Sequence, residues 1–168
     1  MALQKPTPLH WKLRLILAIF GSTLASASAH AKAADEFDFE HVSCHGKPYE
    51  IRVVIKNVKK SVGLIVAELY PNNEDGFLKR RGRIEQVRFA AKAPATKFCL
   101  VAPNAGDYAV AVYQDENANT DFDKGAFGLP AEPWGLSNNP KVRLAPPPIE
   151  KTLFPVNEQG GHTEIKLN

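Results

Sequence analysis

The chain has 168 residues, with 44% hydrophobic and 23% charged side chains and a formal charge of +3. That composition excludes collagen-like, coiled-coil and wholly disordered chains and leaves a globular protein of about one domain. The positive balance sits at one end. Residues 1–14 carry Lys5, Lys12 and Arg14 and no acid, and without them bases and acids are equal in number, which removes the basis for a nucleic-acid partner.

Those bases precede an apolar run, Leu15–Leu24, and a string of small residues, Ala25–Ala31. A positive start, a short apolar stretch and an A-x-A site are the three parts of a cleaved secretory leader. The run is about ten residues long, half of what a bilayer span needs. The sequence therefore predicts a leader over 1–31, cut after Ala29 or Ala31 with Ala27 and Ala33 as alternatives. A lead-in over 32–48 and a domain over 49–168 follow, and no transmembrane span remains after cleavage. The expected location is periplasmic or secreted.

Cys44 and Cys99 are the only cysteines. In an oxidising compartment they are expected to form one disulfide. The other reading makes Cys44 a nucleophile or metal ligand beside His41 and His45, although the string is neither C-x-x-C nor C-x-x-C-H.

Short strand patterns then recur between turn residues. Tyr49–Asn57 places Ile51, Val53 and Ile55 on one face. Val62–Tyr70 follows the Lys59-Lys60-Ser61 turn as its expected hairpin partner. Pro71–Gly82 is polar, with one short helix expected around Phe77–Arg81. Further strands are expected in Arg83–Ala91, Ala95–Val101, Gly106–Gln114, Thr152–Val156 and Thr163–Leu167. About seven antiparallel strands predict a two-sheet β-sandwich of transthyretin or immunoglobulin type, all-β, with one long irregular excursion, 115–148.

The excursion opens with oxygen-bearing side chains at every second position: Asp115, Asn117, Asn119, Asp121 and Asp123. A curled loop of that spacing suits calcium. It is not an EF-hand, because Thr120 and Ala126 stand where that loop requires Gly and Glu. Asp and Asn also crowd into turns with no metal, since they hydrogen-bond their own backbone, and both readings stand. The Pro- and Gly-rich continuation offers Phe127, Glu132, Trp134, Ser137 and Asn138 as candidate contact residues. The run Lys79-Arg80-Arg81-x-Arg83 is either a solvated face or a contact with anionic lipid or glycan.

The string Gly106-Asp107-Tyr108-Ala109 through Asp115-x-Asn117-x-Asn119 resembles the G-x-Y-A…D-x-N-x-N core of the bacterial domain-of-unknown-function family 2141. Phe127-Gly128-x-Pro130-x-Glu132-x-x-Gly135-x-Ser137-Asn138-Asn139 is similar to its F-G-x-P-x-E-x-x-G-x-S-N-N signature, and Pro147 to Phe154 resembles a further segment, with Ile149 in place of the usual Phe. The resemblance covers roughly 49–167. It implies a secreted or periplasmic bacterial β-sandwich, no established activity and no catalytic residue; the cysteine pair lies outside the pattern.

Three functional readings follow. One is a non-catalytic module binding an envelope or extracellular protein or glycan through the 115–148 loop, with calcium as the ion the loop would hold. Another is a hydrolase or lyase using Asp115, Glu116, Asp121, Asp123 and Glu132, with His162 as base. The third is a self-associating structural envelope protein.

Overall fold

Eight strands build two facing sheets in the computed structural model, which describes residues 44–142 and 145–168. The expected leader lies outside the described residues. The first sheet has three strands in the order β4-β1-β8: β4 is Ala95–Val101, β1 Glu50–Lys56 and β8 Gly161–Lys166. The second runs β3-β2-β5-β6, with β3 Glu85–Ala90, β2 Leu64–Pro71, β5 Gly106–Asp115 and β6 Trp134–Leu136. A further short strand, β7, Phe154–Val156, pairs with the start of β5. Among the described residues no closed barrel forms, and the all-β sandwich expected from the pattern is the fold.

The pairing corrects one expectation. β1 and β2 are not a hairpin: β1 pairs antiparallel with β4 and parallel with β8, while β2 pairs with β3 and β5. The Lys59-Lys60-Ser61 segment carries the chain from one sheet to the other. Gly63 makes that passage possible, because its φ is +66° and a Cβ there would overlap the Asp115 carbonyl. The helix expected around Phe77–Arg81 is instead a turn followed by a 3-10 turn at Arg80–Gly82. β6 is the strand that alternation did not reveal.

Alternation does set the core. Ile51, Val53 and Ile55 of β1, Phe98 and Leu100 of β4 and Ile165 of β8 meet Ile65, Ala67 and Leu69 of β2, Val87 and Phe89 of β3 and Val110 and Val112 of β5. Phe89 and Phe98 join the sheets at a ring separation of 4.4 Å. Each such burial removes a large apolar side chain from water, worth about 1.5–3 kcal/mol. The Cys44–Cys99 disulfide, with Cα atoms 5.3 Å apart, ties the chain ahead of β1 to β4. Glu50 holds the same corner: it is buried and accepts the N–H groups of His45 (2.7 Å) and Gly46 (3.2 Å).

The other face of the second sheet is partly covered by the excursion, by the 71–82 connection and by the 3-10 turn Ile149–Lys151. Tyr70, Ala109 and Leu136 pack there with Phe77 and Ile149, and Leu64, Val66 and Tyr113 pack with Phe122 and Trp134. The end of the chain reaches the same place, since the Asn168 N–H donates to the Trp134 carbonyl at 3.0 Å.

Candidate functional site

Strand register fixes what that outer face presents. Arg88, Val66, Tyr113 and Trp134 lie in one row across β3, β2, β5 and β6. Gln86, Glu68, Ala111 and Leu136 form the next row. Strands lie about 4.8 Å apart, so a row of four spans about 14 Å. All of these except the buried Val66 line a groove of about 770 Å³, walled by Leu78, Arg80 and Arg83 and by segments of 120–130, including Phe122 and Leu129.

Charge in the groove is partly spent. Glu68 accepts from Arg83, from Gln86 (2.7 Å) and from the Tyr70 hydroxyl. Burial and that carboxylate push the Tyr70 phenol far above its ordinary value. Tyr113 is pushed up to about 12, first by burial and then by Glu68. Both stay neutral hydroxyls at physiological pH. Arg88 differs from Arg83: its Nε is buried and has no hydrogen-bond partner.

The acidic loop stands at the end of β5. Asp115 is fully buried and accepts the N–H groups of Asn119 (3.1 Å) and Thr120 (2.8 Å). Asn117 and Asn119 donate side-chain amides to Asp123. Glu132 is buried and accepts from the N–H groups of Glu116 and Asp123 (3.2 and 3.1 Å). Burial, and then the charge of Asp115, holds Glu132 above the usual carboxylate range. The loop thus draws together Asp115, Asn117, Asn119, Asp123 and Glu132, whereas Asp121 is among the residues lining the groove. Thr120 takes the left-handed conformation at φ +72°, at the position where an EF-hand would place Gly.

These oxygens are the ones available to a cation. Among the described residues, the carboxylates of this loop do not form a group of three with ligand atoms within 4.8 Å; the one such group is Cys44, Glu50 and Cys99, and both of its sulfurs are spent in the disulfide. The candidate acid–base set is also dispersed: Asp115 and Glu132 are buried on backbone donors, and His162 stands on β8 of the opposite sheet.

The remaining candidate contact residues divide. Trp134 lines the groove. Phe127 is fully exposed at a φ of +61°. Ser137 is fully buried, donates to the Thr152 carbonyl (2.6 Å) and accepts the Val110 N–H (3.0 Å). Asn138 donates to the Leu153 carbonyl (2.6 Å). Next to it, Asn139 pairs with the backbone of Glu164 and Lys166, joining the excursion to the edge of β8. Ser137 and Asn138 are therefore clamps that hold the excursion on the sheets. Glu68, Gln86, Arg88 and Tyr113 were not singled out from the sequence, because polar residues alternating along a strand read as an ordinary solvent face.

Fold and groove define an all-β sandwich domain with one sheet face partly covered by a long excursion. The family model described as "Uncharacterized protein conserved in bacteria (DUF2141)" matches residues 53–166, and the chain belongs to that family. A search of the curated proteins gives no match. Among solved structures, one described as a "putative adhesin" from Bacteroides ovatus aligns at 12% identity and a TM-score of 0.31. That alignment covers 72% of this chain and 44% of the other, and a likeness of that size carries no argument. No helix among the described residues is long and apolar enough to cross a membrane.

Proposed function

We propose that this chain is an exported, non-catalytic binding module that presents the groove on its second sheet to an envelope or extracellular partner. The observation that carries this reading is the groove of about 770 Å³ on the outer face of the second sheet, lined by Glu68, Gln86, Arg88, Tyr113 and Trp134, where a sandwich needs none. The disulfide fits an oxidising compartment. The dispersed carboxylates and the fully engaged Glu68 give no pair poised as acid and base.

Cosedimentation with isolated cell envelopes tests the proposal. The expected result is saturable binding lost in Trp134→Ala and Leu129→Glu. Binding that both variants retain, or saturable turnover of an envelope substrate, would overturn it. Calcium is tested separately by thermal unfolding. The loop's own hydrogen bonds are present with calcium and with chelator, so a rise in Tm that occurs only in calcium and vanishes in Asp123→Ala belongs to a bound ion.

A further inference from the structure

We infer that the groove takes an acidic saccharide, with its oxyanion on Arg88 and a sugar ring against the Trp134 wall; this rests on the binding reading above. Arg88 supplies the first observation. Arg88 lines the groove, and its Nε has no acceptor, so the guanidinium charge is not spent there on a protein group. Its neighbour Arg83 is neutralised by Glu68, but Arg88 has no such partner among the described residues.

Charge supplies the second. Arg80, Arg83, Arg88 and Lys124 line the groove against Glu68 and Asp121, so basic groups are in excess on a domain that is otherwise balanced. An oxyanion is the complement of that excess, and a guanidinium binds one with paired N–H donors.

The third is the shape of the row. Tyr113 and Trp134 stand two and three strands away from Arg88, with Phe122 packed on Tyr113 at 5.0 Å. Rigid aromatic surfaces about 10–14 Å from a cation suit a ligand that combines ring faces with an acid group, spread over more than one ring. A small inorganic anion would reach Arg88 and leave the aromatic wall untouched.

The chain's other tryptophan is Trp11. A Trp11→Phe protein therefore makes fluorescence a readout of Trp134 alone. Titration with trigalacturonate, with its methyl ester and with inorganic phosphate separates ring from charge. The expected result is saturable quenching by the acid, at least tenfold weaker binding of the ester, and no change with phosphate. Arg88→Met should weaken the acid at least tenfold while leaving the ester unchanged. Arg80→Gln, at an exposed position, should weaken it less and provides a second variant if Arg88→Met does not fold. Equal binding of acid and ester would overturn the role of Arg88 while leaving the groove a binding site. Saturable quenching by phosphate alone would show an anion site without saccharide recognition. No quenching by any probe would overturn the saccharide, while envelope cosedimentation reports on the groove independently.

Discussion

Glu50 shows how one side chain sets a corner of the domain. Burial pushes its carboxyl up, but the N–H donors of His45, Gly46 and Lys47 and the charge of Arg52 outweigh it, so the net shift is downward. A carboxylate with a depressed folded pKa stabilises fully above its unfolded value, near 4.3, and loses that contribution as pH falls through the lower folded pKa. Tm of the wild type should therefore fall more steeply below about pH 4.3 than Tm of Glu50→Gln. Parallel acid limbs in the two proteins would show that Glu50 contributes nothing through its charge. Little of this was visible in the sequence, where Glu50 is one acid at the start of a strand and its donors come from a turn with no regular pattern. Arg88 was hidden for a similar reason. Its position in β3 looks like any solvent-facing residue, and only strand register brings it into line with Tyr113 and Trp134.

At the scale of elements, the strands that pair over many residues were the legible ones. Ile51, Val53 and Ile55, or Val110 and Val112, announce a buried face by alternation alone. Partner choice was not legible: the gap between β1 and β2 has the length of a hairpin loop, and nothing local says that it crosses between sheets. β6 was not legible either, because three residues flanked by Pro133 become a strand only by pairing with Ala111–Tyr113. Its middle residue is the sensitive one. A Cβ on Gly135 would stand 2.6 Å from the Lys166 carbonyl oxygen and 2.7 Å from the Ile165 side chain. Gly135→Ala must push β6 away from β8, at a cost of about 1–3 kcal/mol, the usual range for overpacking. Thermal unfolding reads that loss, and a Tm equal to wild type would show that β6 has room to move.

At the scale of the whole molecule, one disulfide ties the chain ahead of β1 to the edge strand β4. Cys44 and Cys99 are 55 residues apart, and closing a loop of that length stabilises by about 4 kcal/mol on the chain-entropy model. Reduction should lower Tm by on the order of 10 °C for a domain of this size. The Cys44→Ser/Cys99→Ser protein should match the reduced wild type, and a Tm unaffected by reductant would show that the sheets alone set stability. The acidic loop was legible as a place but not as an arrangement. Its alternating oxygens were plain in the sequence, while the enclosure of Glu132, which arrives from nine residues beyond Asp123, depends on how the excursion doubles back.

The last residue's N–H rests on the carbonyl of Trp134, and Leu167 is buried against the core. The chain's tail is thus a tether for the aromatic wall. Removing residues 166–168 would take away the buried Leu167 and the backbone contacts of Lys166 and Asn168 together, so the core and the aromatic wall would loosen as one.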